Sequence, residues 1–265
     1  MCGIIGCVGA RDTVPDLIEG LRRLEYRGYD SAGIAVLNGD GVGRRRVKGK
    51  IRDLAEEVRR HPIAGFCGIG HTRWATHGRP SEDNAHPHTD CTGTIALLHN
   101  GIVENYWPLK ERLRAEGHVF RTETDTEVIV HLVEKHFRGS LEEALRAAVR
   151  ELEGAFAVAC ISSRDPGKIV AARNGPPVVV GFGAGETLVS SDITPLLSHT
   201  KRVAYLGDGE IAVLTPQGIR FAAFDGAPVE KAVETLDWEP DMIEKRGFPH
   251  FMAKEIFEQA DVVRE

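Results

Sequence analysis

The order of helical and strand patterns constrains the fold of this 265-residue chain more than any other feature. Helical periodicity predicts helices over 13–25, 51–60, 105–115, 126–137 and 141–152. Residues 155–224 contain short β-rich runs separated by Gly, Pro and Asp, and earlier strands are predicted at 3–8, 33–37, 66–71 and 94–99. Helices grouped together and then strands grouped together favour an α+β fold of two antiparallel sheets faced by helices over a parallel βαβ array.

Local signals refine this outline. Thr124 with Glu127, and Ser140 with Glu143, predict capping boxes at the starts of the last two helices. The polar stretch from about residue 226 is predicted to be a linker, and a helix runs from about 251 to the end without a stop signal. We therefore expect one domain over 1–225, and a linker over 226–265 that begins a connection to further sequence.

Charge and cysteine content exclude several classes of protein. The net charge of −6 argues against a nucleic-acid surface, and the one basic cluster, Arg44–Arg46, is short enough to be a solvated strand or loop. No apolar run approaches 18 residues, and the N-terminus lacks the pattern of a signal peptide. An odd number of cysteines without CxxC spacing predicts reduced thiols in a cytoplasmic protein; they are Cys2, Cys7, Cys67, Cys91 and Cys160.

Cys2 is the first candidate for chemistry. Removal of Met1 would leave a cysteine with a free α-amine, which places a nucleophile and a base on one residue. An amine with a pKa of about 7.7–8.0 can take the thiol proton near neutral pH. Taken alone, Cys2 is better explained as a small buried cysteine at the start of an apolar strand.

Three loops are rich in small and functional side chains: 27–33, 71–78 and 99–101. Each has a structural explanation as well, since Asn100 and Gly101 form a common turn pair and an arginine next to a tryptophan can be a surface stacking pair. His86 and His88 have the spacing of metal ligands, but no third ligand is spaced to match, so no metal site is predicted.

Together the loops fit a cysteine-dependent hydrolase that acts on the amide of an amino acid. Cys2 would be the nucleophile, and Asn100 with the backbone N–H of Gly101 would stabilise the oxyanion. Arg73 has the forked geometry that binds a carboxylate, and Asp125 is the candidate partner for a substrate ammonium. The sequence pattern does not itself establish that these loops meet in space.

The motifs resemble those of class II glutamine amidotransferases, and among them the glutaminase domains of glucosamine-6-phosphate synthases, also called isomerising glutamine:fructose-6-phosphate amidotransferases. Tyr29 and Trp74 distinguish this family from the phosphoribosyl-pyrophosphate amidotransferases, which typically carry glutamine and tyrosine at those positions. The matching segments follow the same order along the whole chain: 2–4, 25–33, 71–78, 84–88, 99–102, 123–127 and 252–259.

This resemblance implies a four-layer αββα sandwich of the N-terminal-nucleophile (Ntn) hydrolases, and it implies roles for the residues that match. Cys2 becomes the N-terminal nucleophile with its own amine as base. Asn100 and Gly101 resemble an oxyanion hole. Arg73 and Asp125 resemble the clamps on the α-carboxylate and α-ammonium of glutamine.

The same resemblance extends to the rim of the site. Residues 73–81 resemble a mobile loop that closes over glutamine, with Trp74 at the ammonia exit and Thr76 and His77 near the substrate. Arg27 resembles a residue near the catalytic end. The implied reaction is acyl transfer through a γ-glutamyl thioester, without a cofactor.

The resemblance also implies a longer parent protein. In such a protein, C-terminal isomerase domains absent from this chain would use the ammonia to convert fructose 6-phosphate into glucosamine 6-phosphate, in a cytoplasmic homodimer or larger assembly. L-glutamine is the expected substrate, and no nucleic acid or membrane partner is expected. Two alternatives stay open: the glutaminase domain of another amidotransferase, such as a phosphoribosyl-pyrophosphate amidotransferase, and a regulatory module that binds glutamine without turnover.

Overall fold

A computed structural model describes residues 2–39, 41–237, 248 and 251–263. Within them, two antiparallel sheets form the centre of the molecule. The first has the strand order β15-β11-β9-β10-β1-β4-β2-β3. Its strands are β1 (Gly3–Val8), β2 (Ser31–Asn38), β3 (Gly41–Lys48), β4 (Cys67–Arg73), β9 (Val179–Phe182), β10 (Thr187–Ser190), β11 (Arg202–Tyr205) and β15 (Glu234–Thr235).

The second sheet has the order β14-β13-β12-β8-β7-β6-β5, again with antiparallel pairing throughout. Its strands are β5 (His88–Thr89), β6 (Ile95–Val103), β7 (Gly154–Ser162), β8 (Ile169–Asn174), β12 (Glu210–Thr215), β13 (Gly218–Ala223) and β14 (Pro228–Val229). The hairpin between β12 and β13 turns through 216–217, where the sequence has a Pro-Gln-Gly turn signal.

Helices cover the outer face of each sheet. They are α1 (Val14–Leu24), α2 (Ile51–Arg60), α3 (Tyr106–Ala115), α4 (Glu127–His136) and α5 (Leu141–Val149), with a 3-10 turn at Glu25–Arg27. A further helix, α6 (Phe251–Val262), lies near the end of the described residues. α1 and α2 pack on the first sheet in one buried apolar layer, and α3, α4 and α5 pack on the second sheet in another. A third layer lies between the two sheets. These layers confirm the predicted α+β sandwich of two antiparallel sheets flanked by helices.

Strand β1 lies in the middle of the first sheet and sets the position of the site. It pairs with β4 on one side, with Gly3 opposite Thr72, and with β10 on the other, with Ile5 opposite Ser190. Both of its faces are buried, which agrees with its unbroken apolar sequence. Cys2 is therefore held at the end of a strand whose register is fixed on both sides.

The structure differs from two local predictions. Thr124 and Glu127 do not form a capping box, because the Glu127 carboxylate accepts the backbone N–H groups of Arg121 and Thr122 at 2.7 and 2.8 Å, and Thr124 lies 3.1 Å from the His88 ring. The capping interaction at Ser140 is present in part, since its hydroxyl accepts the Glu143 N–H at 3.3 Å. Two short strands, β14 and β15, lie within the stretch predicted to be linker.

Candidate active site

The Cys2 side chain lies against the backbone at the end of β4. Its Sγ atom accepts the Trp74 N–H at 3.2 Å and lies 3.4 Å from the Trp74 carbonyl oxygen. Burial raises the pKa of the Cys2 thiol, while the Trp74 N–H and the positive charge of Arg73 act in the opposite direction. Cys2 is half-buried, and its sulfur has a donor that stabilises the thiolate. Met1, whose removal the sequence analysis invoked, lies outside the described residues.

Cys2 forms part of the wall of a small cavity that opens to solvent. Cys2, Arg73, Trp74, Thr76, Gly101 and Asp125 were predicted from the sequence, and the cavity brings all of them together. It is also lined by His86, His99, Thr124 and Thr126.

The buried Asn100 amide bridges Cys2 and a buried histidine. Its Nδ2 donates to the Cys2 carbonyl oxygen at 3.1 Å, and its Oδ1 lies 2.9 Å from His71 Nε2. His71 Nε2 also lies 3.2 Å from the His99 carbonyl oxygen. Both neighbours of Nε2 are acceptors, so this nitrogen carries the proton. The Asn100 amide therefore has its oxygen toward His71 and its amino group toward Cys2.

Gly101, next along β6, has a backbone that a larger residue could not adopt. Its φ is +130°, and a Cβ atom there would lie 2.0 Å from the Ala155 carbonyl oxygen on the neighbouring strand. The close pairing of β6 with β7 therefore requires glycine. This places a backbone without a side chain at the edge of the cavity.

Arg73 is almost fully buried at the base of the loop that follows β4. Its Nη2 donates to the carbonyl oxygens of His77 and Gly78, the latter at 3.1 Å. Its Nη1 is buried and has no hydrogen-bond partner among the described residues. The Asp30 carboxylate fixes the same loop by accepting the Ala75 N–H at 2.8 Å. One nitrogen of the guanidinium therefore holds the loop, while the other retains its donor capacity.

Asp125 provides the acidic part of the wall and lies two residues before α4. It is 4% exposed, and its Oδ2 accepts the Val103 N–H at 2.9 Å. A carboxylate with a single hydrogen bond among the described residues keeps acceptor capacity for a ligand cation. Arg73 and Asp125 thus give the cavity one group of each sign.

Buried histidines form the floor of the cavity. His86 Nε2 and His99 Nδ1 lie 2.9 and 3.0 Å from the Thr126 hydroxyl, and the rings of His71 and His86 are 4.2 Å apart. Burial lowers the pKa of His71 to about 3 and also lowers the pKa values of His86 and His99. These rings are neutral at physiological pH. They support the site by hydrogen bonds and do not supply a charge.

Sequence reasoning did not assign His86, His99, Thr124 or Thr126 to the cavity. The sequence does contain a pattern that could have indicated them. The histidines at 86 and 88, and the threonines at 124 and 126, are each two residues apart, as are side chains on one face of an extended segment. Each histidine meets the threonine opposite, with His88 bound to Thr124 and His86 to Thr126.

Three predicted residues do not line the cavity. Asn100 contacts it through the Cys2 carbonyl, and His77 contributes its backbone oxygen to Arg73 while its ring packs on Tyr106 at 5.6 Å. The Arg27 guanidinium binds the Asp192 carboxylate at 2.9 Å. Its neighbour Gly28 lies against the backbone of Arg73, where a Cβ atom would come within 2.6 Å.

Comparison with known proteins agrees with this geometry. A family model described as "Glutamine amidotransferase domain" matches residues 71–198. The glutamine–fructose-6-phosphate aminotransferases (isomerizing) of Thermus thermophilus and Methanothermobacter thermautotrophicus are 53% and 50% identical over 98% and 100% of this chain. The chain spans 43% and 45% of the length of these two relatives.

Solved structures share the fold. The glutamine phosphoribosylpyrophosphate amidotransferase of B. subtilis matches 84% of this chain and 49% of its own, with a TM-score of 0.73 and 26% identity. A glutamine aminotransferase class-II domain protein from Silicibacter pomeroyi matches 86% of this chain and all of its own, with a TM-score of 0.58 and 16% identity, which supports the fold alone. The chain therefore belongs to the glutamine amidotransferases, as a glutaminase domain of the kind found in the glutamine–fructose-6-phosphate aminotransferases.

Proposed function

We propose that this domain hydrolyses the side-chain amide of L-glutamine to glutamate and ammonia through a γ-glutamyl thioester on Cys2. The observation that carries the proposal is the arrangement around the Cys2 sulfur. A backbone donor lies on one side of it, the Asn100 amide bonds the same residue, and a cavity with one cation and one anion opens beside it. These are the parts that acyl transfer from an amino-acid amide requires.

The chemical steps follow from the contacts. After removal of Met1, the α-amine of Cys2 would take the thiol proton, and the thiolate would attack the amide carbon. The Asn100 Nδ2 and the Gly101 N–H would stabilise the tetrahedral oxyanion. The proton would then pass to the leaving nitrogen, ammonia would depart, and water would hydrolyse the thioester with the same amine as base.

Recognition of glutamine is proposed to depend on the two charged groups in the wall. Arg73 Nη1, a buried donor without a partner among the described residues, would bind the α-carboxylate. Asp125 would accept the α-ammonium. The loop that begins at Trp74, with Thr76 and His77, would close over the substrate, and Arg27 would support the base of the loop through Gly28.

The longer parent protein is proposed to use the ammonia on a sugar phosphate. Relatives about 50% identical are named glutamine–fructose-6-phosphate aminotransferases, and this chain spans less than half of their length. The remainder would be the C-terminal isomerase domains, connected through residues 226–265, in a cytoplasmic homodimer or larger assembly. A phosphoribosyl-pyrophosphate acceptor is less well supported, because the corresponding solved structure is only 26% identical.

An electrophilic glutamine analogue tests the nucleophile. Intact mass should show Met1 removed and one adduct per chain, and peptide mapping should place the adduct on Cys2. Cys2→Ala should abolish release of glutamate, whereas the control Cys160→Ala, a buried thiol in β7, should retain it. Labelling on Cys67 or Cys160, or turnover by Cys2→Ala, would refute the proposal. Binding of glutamine by the processed wild-type chain without turnover would favour a regulatory module.

A further inference from the structure

A second group of chemically active side chains lies on α4 and the loops packed against it. Cys91, His118, His131 and Glu134 each place one ligand atom within 4.8 Å of the others. Cys91 Sγ lies 3.9 Å from His118 Nδ1 and 3.7 Å from His131 Nδ1. Glu134 Oε2 lies 2.8 and 2.9 Å from the same two nitrogens. One sulfur, two nitrogens and one oxygen therefore converge from three separate segments of the chain.

We propose that Cys91, His118, His131 and Glu134 form a structural zinc site. Thiolate, imidazole and carboxylate are the ligands that tetrahedral Zn²⁺ takes in proteins, at about 2.3, 2.0–2.1 and 2.0–2.2 Å. A tetrahedron with those bond lengths has sulfur–nitrogen edges of about 3.6 Å and nitrogen–oxygen edges of about 3.3 Å. The four measured separations lie within about half an ångström of these edges, so modest side-chain rotation would complete the geometry. Four protein ligands leave no open position, as in a structural rather than a catalytic site.

The surroundings suit a bound cation. The Val119 N–H donates to Cys91 Sγ at 3.3 Å, which stabilises a thiolate, and Glu127 Oε1 lies 3.8 Å from the remaining nitrogen of His131. The side chain of His131 is 1% exposed, whereas those of His118 and Glu134 are 13% and 15% exposed. The site therefore has a buried side, an outer shell and a path for entry from solvent.

A comparison within the chain shows why this cluster is distinctive. Cys7, Asp16 and Glu186 also approach one another. There the Arg11 Nη2 atom lies 3.2 Å from Asp16 and 3.4 Å from Glu186, so a side-chain cation already neutralises the acids. Among the described residues, Glu134 forms ion pairs with His118 and His131 and with no lysine or arginine.

The proposed ion would fasten the region that carries the acidic wall of the active site. Cys91 lies just after β5, His118 lies between α3 and α4, and His131 and Glu134 are three residues apart on α4. Asp125 lies two residues before α4. A metal that ties these segments together would hold the start of α4, and with it Asp125, in place. This inference does not depend on the proposed hydrolysis.

Metal binding to the full chain tests the inference. The chain is first stripped of metal with a chelator and then loaded with zinc. After free metal is removed by gel filtration, one equivalent of zinc should remain bound to each chain and should raise its Tm. Cobalt in its place should give a thiolate charge-transfer band. Cys91→Ser and Glu134→Gln should each weaken binding by more than the roughly 10–100-fold lost on removal of an outer-shell partner. His61→Gln, at an exposed histidine on the helix end, and Cys2→Ser should keep the metal and the cobalt band.

Circular dichroism of each variant would establish that it is folded, and His118→Ala, at a less buried ligand, provides a further test if another variant does not fold. Wild-type protein that retains no stoichiometric zinc would overturn the inference. Zinc retained with unchanged affinity by the folded ligand variants would overturn it as well, because the ion would then lie elsewhere.

Discussion

Replacement of Asn100 with alanine is expected to reduce kcat by about 10²–10³, which corresponds to about 2.7–4 kcal/mol of transition-state stabilisation. The structure explains why this amide should have the full effect of an oriented donor. Its oxygen is fixed by the protonated Nε2 of His71 at 2.9 Å, and its nitrogen donates toward Cys2 at 3.1 Å. A pKa of about 3 keeps His71 neutral, so this orientation persists over the whole working pH range.

The same substitution should have a small effect on folding. His71 Nε2 keeps a second acceptor, the His99 carbonyl oxygen at 3.2 Å, so truncation leaves no buried donor without a partner. The expected loss in the free energy of unfolding is about 1 kcal/mol, the typical value for one hydrogen bond. Asn100→Asp should lose as much turnover as the alanine variant, because a carboxylate satisfies His71 but supplies no donor to the oxyanion.

Release of glutamate, followed through a coupled dehydrogenase over a range of glutamine concentrations, gives kcat and KM. Urea unfolding of the same samples gives their stability. Asn174→Ala is a matched control, since that amide also donates to a backbone oxygen, that of Gly154 at 3.0 Å, but outside the cavity. The reasoning is refuted if a folded Asn100→Ala variant turns over at the wild-type rate, or if Asn174→Ala loses the same factor.

Further predictions concern recognition, backbone geometry and pH. Arg73→Lys should raise KM by about 10–100-fold, because a single ammonium cannot hold the loop carbonyls and also keep the charged contact to the substrate carboxylate, which contributes about 1.5–3 kcal/mol. An unchanged KM, or an equal rise in the exposed loop variant Arg79→Lys, would contradict the clamp. Gly101→Ala should lower Tm and kcat far more than Gly93→Ala, since both have positive φ but only the first would place Cβ against a backbone oxygen; equal Tm values would exclude the steric argument. Lowering the pH from about 7 to about 5.5 should reduce the free energy of unfolding by about 1 kcal/mol for each buried neutral histidine such as His71. The folded-state pKa lies below the unfolded value, so the unfolded chain takes up the proton first as the pH falls. Urea unfolding at the two pH values measures this, and unchanged stability would contradict it.

The layered fold was predictable because its long elements carry clear periodicity. The predicted helix over 51–60 and the predicted strand over 3–8 coincide with α2 and β1. The two-residue strands β5, β14 and β15 are too short to show alternation, so they depend on pairing that the local sequence does not encode. The capping box predicted for Thr124 and Glu127 was wrong for a similar reason. The Glu127 carboxylate binds the backbone N–H groups of Arg121 and Thr122 instead of the amide that a capping box would use.

The site was predictable in part. Family resemblance identified Cys2, Arg73 and Asp125, but local sequence could not indicate that they share a cavity, since they are separated by up to 123 positions and meet only through strand pairing. The cluster of Cys91, His118, His131 and Glu134 was missed for the same reason. Its spacings of 27, 13 and 3 residues match no local metal motif, and it becomes visible only when three segments are packed together.

The apolar layer between the sheets has a consequence for tuning this catalyst. Cys2 and Trp74 extend from one sheet and Asn100 belongs to the other, so reactive partners face each other across an apolar layer that includes several alanines, among them Ala96, Ala157 and Ala171. The distance between the two sheets is therefore part of the geometry of the reaction centre. Laboratory evolution should therefore find its strongest modulators of turnover among methyl-sized positions deep inside the sandwich, remote from any substrate contact.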